Sequence, residues 1–167
     1  MGRRLLPRNL PELYAHALVL ECEAAKRFAE LEQLMRDTGV EHLAEEFERI
    51  GREEKEQYDL LALGTAGREL PELSGWEYAW HYLGASVDRA PAPTNAREAL
   101  AAALSTERRT QNFYADVAEN ALDDAVRAFA AEMAADEQRH VMRLELLLAR
   151  EPEPASSSDQ TDGAALA

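Results

Sequence analysis

Acidic side chains placed where a helix should be apolar are the first chemistry this sequence offers. Tyr14, Ala17, Glu21, Ala24, Phe28, Leu31 and Met35 recur at intervals of three and four residues, which lays them along one face of a helix. Leu43, Phe47, Ile50, Glu54, Gln57 and Leu61 form a second such stripe. Leu100, Ala103, Glu107, Tyr114 and Val117 form a third, and Val126, Phe129, Met133, Glu137, His140, Leu144 and Leu147 a fourth. Each stripe is interrupted near its middle by a glutamate, and the second and fourth also carry a ligand-type residue one turn later, Gln57 and His140.

A buried carboxylate is costly unless it is neutralised or paired. Four of them converging in one core would repel strongly. Two divalent cations bring +4 against −4 and remove the conflict, and carboxylates shared between the ions hold them at the spacing two-metal chemistry needs. A lone Glu-x-x-His such as Glu137/His140 is a weak signal. One glutamate on each of two helices, with a Glu-x-x-ligand pair on each of the other two, is far more specific and is the ligand plan of carboxylate dimetal bundles. Imidazole beside carboxylate suits iron or manganese.

These residues need four long helices to position them. The sequence predicts helices from about Leu10 to Met35, Glu41 to Leu63, after Pro93 to about Val117, and Asp123 to Arg150. Asp37-Thr38-Gly39 marks the first exit, and Gly64 and Gly67 are expected to end the second helix. Thr94 or Asn95 is expected to cap the third. Short links join the first helix to the second and the third to the fourth, so each pair is an antiparallel hairpin. Between the hairpins runs a long stretch, about Arg68 to Pro93, long enough to travel the length of a helix. Short, long, short is the topology of an all-α, ferritin-like four-helix bundle with one crossover between helices 2 and 3. The crossover contains Trp76-Glu77-Tyr78-Ala79-Trp80-His81-Tyr82, expected to pack as an aromatic plug. Residues 1–150 read as one domain, and 151–167, rich in Ser, Asp, Gln and Thr, as a disordered tail.

The two hairpins repeat each other. Leu18-x-x-Glu21 with Phe28 matches Leu104-x-x-Glu107 with Tyr114. Ile50-Gly51-x-Glu53-Glu54-x-x-Gln57 matches Met133-Ala134-x-Asp136-Glu137-x-x-His140. The spacing implies two related halves about a pseudo-twofold axis.

On Glu21 through Phe28, Phe47 through Gln57, Glu107 through Tyr114, and Glu137-Gln138-Arg139-His140, the chain resembles the rubrerythrin-type branch of the ferritin-like di-iron family over about residues 10 to 148. The resemblance implies Glu21, Glu54, Glu107, Glu137 and His140 as metal ligands, with Glu54 and Glu137 bridging. It implies a pair of iron ions, with manganese or mixed metals as alternatives, that reduces hydrogen peroxide or dioxygen. Three departures bear on that activity. Gln57 stands where the family pattern has histidine, and an amide oxygen is the weaker, neutral ligand. Thr110 occupies the place of an additional glutamate one turn after Glu107. With a single cysteine, Cys22, the sequence holds no rubredoxin-like Cys-x-x-Cys site, so electrons are expected from an external donor. Tyr114 lies on the face of Glu107 and is a candidate to hydrogen-bond a ligand carboxylate. His16 falls off the Glu21 face, and surface lysines and arginines show no evident role.

A net charge of −14 repels phosphate backbones and anionic bilayers, which disfavours nucleic-acid and membrane partners. No signal-like or spanning apolar run is present, so the chain reads as cytoplasmic, and a homodimer is the expected assembly. Two alternatives compete with the enzyme: an iron-handling ferroxidase or storage-type subunit, and a metal-depleted helical interaction bundle that lost a complete site at Gln57.

Overall fold

The computed structural model describes residues 6–73 and 91–154. Four helices build it: α1 Leu10–Asp37, α2 Glu41–Thr65, α3 Ala96–Asn120 and α4 Asp124–Arg150. Three of them start on a side-chain cap. Asn9 accepts from the Glu12 amide at 2.9 Å, Asn95 from the Glu98 amide at 2.9 Å, and Asp123 from the amides of Ala125 and Val126. Each bond satisfies a backbone donor that the first helical turn cannot.

The α1 exit is a Schellman turn. Gly39 takes φ +76°, its amide bonds Arg36 O, and the Val40 amide bonds Met35 O at 2.8 Å. The chain therefore reverses within three residues and starts α2. Gly64, expected to end α2, lies inside it. A glycine keeps its amide and weakens a helix without breaking it, and the positive-φ residue is Gly67, after the helix. The helices also run two or three residues past the expected ends of α1, α2 and α3.

Direction follows from the two apolar clusters. One gathers Met35 from the end of α1, Leu43 from the start of α2, Ala99 from the start of α3 and Leu144 from the end of α4. The other gathers Leu13, Val117 and Val126 from the opposite ends, with Leu61 packed against it. So α2 and α3 run parallel, and the chain between them must return the length of a helix. At ~1.5 Å per residue, the 25 residues of α2 span about 37 Å. This is the ferritin-like bundle with its single crossover. Residues 74–90 of that connection, including the Trp76–Tyr82 stretch and His81, lie outside the described residues, as does the 155–167 part of the tail.

Within each hairpin the backbones approach closely; between hairpins they are more distant. Gly51 marks a close approach of α2 to α1, where an added Cβ would stand 3.0 Å from Phe28 Cβ. Phe28, Phe47, Ile50, Leu100 and Tyr114 are almost wholly buried. Each side chain of that kind contributes about 1.5–3 kcal/mol, and together they offset the polar residues enclosed between the clusters. Among the described residues no helix is long and apolar enough to cross a membrane.

Candidate metal centre

Between the two apolar clusters, one buried polar layer crosses the bundle. Glu21 comes from α1, Glu54 from α2, Glu107 from α3, and Glu137 and His140 from α4, and none is more than 4% exposed. Ligand-type atoms of Glu54, Glu107, Glu137 and His140 all lie within 4.8 Å of one another. Glu21 adjoins Glu54, and its Oε1 accepts a 2.7 Å hydrogen bond from the Tyr114 hydroxyl.

The orientation of these groups is as telling as their proximity. Glu21 Oε2, both oxygens of Glu54, Glu107 Oε2 and His140 Nδ1 are buried without a hydrogen-bond partner. His140 Nδ1 is 2.6 Å from Glu54 Oε1 and 3.5 Å from Glu107 Oε2, yet it is not aligned to bond either. Buried polar atoms are normally satisfied. Here five of them crowd into one layer at ion-pair distances without an aligned hydrogen bond, as ligand atoms do. A donor set of four carboxylates and one imidazole, carrying up to four negative charges, fits two divalent cations.

The electrostatics without metal record the same tension. Burial, and then repulsion from Glu107 and Glu21, holds Glu54 well above the usual carboxylate range. Burial, with Glu54 and Glu107, does the same to Glu137. Burial also raises Glu21, against the lowering effect of its contacts with Glu54 and Tyr114. For His140 burial disfavours the charge, but the surrounding carboxylates outweigh it and push the imidazole up to about 9.

Two acids absent from the expected set complete the layer. His140 Nε2 meets Glu53 Oε2 at 2.9 Å, and Arg143 holds the other Glu53 oxygen at 3.2 Å. A histidine whose outer nitrogen is bonded to a carboxylate presents its other nitrogen inward in a fixed tautomer, an arrangement common behind metal-binding imidazoles. Burial tends to raise Glu53, but the bonds to His140 and Arg143 prevail and hold it low. Arg143 is thus an exception to the expectation that surface cations have no role.

On the opposite side, Gln57 Nε2 donates to Asp136 Oδ2 at 3.0 Å, and Arg139 pairs with Asp136 in turn. The two sets are related by the internal repeat. Glu53 of α2 backs His140 of α4, while Asp136 of α4 backs Gln57 of α2. The signal was present in the sequence, because an acid precedes the ligand glutamate in both halves of the repeat. What the sequence did not disclose is that each acid serves the residue on the other helix. Gln57 is only half buried and its amide nitrogen faces Asp136, so it stands at the edge of the layer. Thr110 is buried and donates to Thr106 O at 3.3 Å. The His16 ring lies 5.6 Å from that of Phe113, apart from the cluster.

No curated protein matches the chain. A solved structure of an uncharacterized conserved protein from Magnetospirillum magnetotacticum MS-1 superposes with a TM-score of 0.78 at 31% identity, covering 88% of this chain and 98% of that one. Residues 12–148 match the rubrerythrin family. With the fold, the buried glutamate–histidine layer and this match in agreement, the chain belongs to the rubrerythrin family.

Proposed function

We propose that the chain holds a pair of divalent metal ions, iron foremost, and reduces hydrogen peroxide or dioxygen with electrons from an external donor. The observation that carries this reading is the convergence of buried ligand-type atoms of Glu54, Glu107, Glu137 and His140 within 4.8 Å of one another, with Glu21 beside them. Membership of a family whose members reduce peroxide or oxygen at a di-iron centre supports the choice of chemistry. Glu21, Glu54, Glu107, Glu137 and His140 would hold the ions in this reading, with Gln57 the neutral residue at the weaker position. When bound, the reduced metal pair supplies the two electrons that cleave an O–O bond.

The chain's own residues prepare that chemistry. Tyr114 donates to Glu21 Oε1, which fixes that carboxylate and leaves Oε2 for the metal. Glu53 accepts from His140 Nε2, which leaves Nδ1 as the inward ligand atom. Glu54 and Glu137, whose protons are held tightly without metal, release them as cations enter. The apolar clusters on either side keep bulk water out of the layer, and a low dielectric strengthens each charge interaction inside it.

The test is metal quantification followed by stopped-flow mixing of the ferrous protein with hydrogen peroxide. About two ions per chain are expected, or about one if Gln57 leaves its position weak, with rapid oxidation by peroxide. Glu137→Ala is expected to abolish that oxidation. A protein purified with iron supplied that binds none, or ferrous protein indifferent to peroxide, would defeat the proposal.

A further inference from the structure

Beside the carboxylate layer, α1, α2 and α4 line a cavity of about 330 Å³ that opens to solvent past the exposed Leu60. Its walls are Tyr14, Leu61, Phe129 and Met133, with the Tyr14 and Phe129 rings edge to face at 5.1 Å. Its polar end is the Gln57–Asp136 pair. Gln57 follows Glu54 by one helical turn, and Asp136 directly precedes Glu137, so this end adjoins the carboxylate layer. Pockets for small molecules begin at about 300 Å³ and combine apolar walls with a few fixed polar groups.

We propose that this cavity binds a small neutral molecule with an apolar body and a hydrogen-bonding head, of the alkyl hydroperoxide class. The inference rests on the dimetal reading above and specifies its substrate. The apolar body packs against Leu61, Phe129 and Met133. The head meets the Gln57 amide, whose nitrogen is held by Asp136 and whose oxygen is left to accept a hydrogen bond. No lysine or arginine lines the cavity, and the Asp136 charge at its polar end is already met by Arg139, so the lining favours a neutral molecule. Hydrogen peroxide alone would gain nothing from the apolar walls. Reduction of an alkyl hydroperoxide breaks the O–O bond and consumes two electrons and two protons to give an alcohol and water. The electrons are those of the reduced metal pair, restored by the external donor.

Gly64 provides the test. It lines the cavity, and an added Cβ there would have nothing within 4 Å, so a side chain can leave the helix at this position without meeting a neighbour at its first atom. The full chain, with and without metal, is labelled at its methionine methyls and titrated with cumyl alcohol, a non-oxidising probe. A saturable shift is expected at Met133 and none at Met35, which belongs to the far apolar cluster. Gly64→Phe and, from another wall, Leu61→Trp should each weaken binding at least about tenfold. In the iron-loaded protein the same variants should lower the preference for cumene hydroperoxide over hydrogen peroxide. The absence of a saturable Met133 shift, or a shift that both variants leave intact, overturns the assignment. Because binding is read without metal, a chain that binds cumyl alcohol yet is inert to both peroxides refutes the proposed function and leaves the cavity assignment standing.

Discussion

Replacing Glu53 is expected to weaken metal binding although Glu53 touches no ligand space itself. Its Oε2 lies 2.9 Å from His140 Nε2, and Arg143 holds its second oxygen. Without it, the imidazole loses the acceptor that fixes its tautomer and the charge that makes Nδ1 a stronger donor. Outer carboxylates of this kind are worth about 10–100-fold in metal affinity, equivalent to roughly 1.4–2.7 kcal/mol. Two substitutions separate the contributions. Glu53→Gln keeps an amide oxygen that can accept from Nε2 but removes the charge, so it should sit near the lower end of that range. Glu53→Ala removes both and should sit near the upper end. Chelator competition with cobalt(II) or iron(II) reads the affinities, and thermal melts of the metal-free variants check that the fold persists. Glu53 is partly exposed, so little change in metal-free melting is expected. Affinity for the more tightly held ion within about twofold of the parent in Glu53→Ala would refute the role given to this contact.

Three further outcomes follow from the same layer. The metal-free protein should lose stability as pH rises. Glu21, Glu54 and Glu137 are raised above 4.5, so their contributions are present below that value and are lost as pH climbs through their raised ones; His140 adds stability below about 6.5 that is lost towards about 9. Melts across that window should show a falling Tm without metal and a growing gain on adding it, since proton release favours binding at higher pH. Glu54→Leu should abolish binding of the metal pair while stabilising the metal-free protein by about 1–3 kcal/mol, because it removes two unsatisfied buried oxygens; denaturant unfolding measures the gain. Gln57→His should raise affinity for the second ion about 10–100-fold, as its outer nitrogen can meet Asp136 much as His140 meets Glu53; calorimetric titration would show the two binding events drawing together.

Much of the fold was legible because helical periodicity is a local property. Glu21, Glu54, Glu107, Glu137 and His140 each interrupt a stripe of apolar residues, and a residue's place on a helical face follows from spacing alone. The α1 turn was legible for a similar reason, since Gly39 supplies the left-handed residue its hydrogen bonds demand. Gly64 misled because glycine permits a helix end without dictating one. The bonds of Glu53 to His140 and of Asp136 to Gln57 were hidden for a different reason. They join α2 to α4, separated by the long crossover, and their pairing depends on the relative height and rotation of two helices. The sequence shows the acids but not that geometry. The Tyr14–Met133 cavity was hidden likewise, because it is a gap left by three helices.

The polar layer is divided between the hairpins. α1 and α2 bring Glu21 and Glu54, while α3 and α4 bring Glu107, Glu137 and His140. Neither half owns a full set of ligands, and each half is knit more closely within itself than to the other. A cation seated there would therefore act as a clasp across the seam between the two hairpins. When it leaves, protons must take its place on the carboxylates, and the seam between the two halves loses its strongest tie.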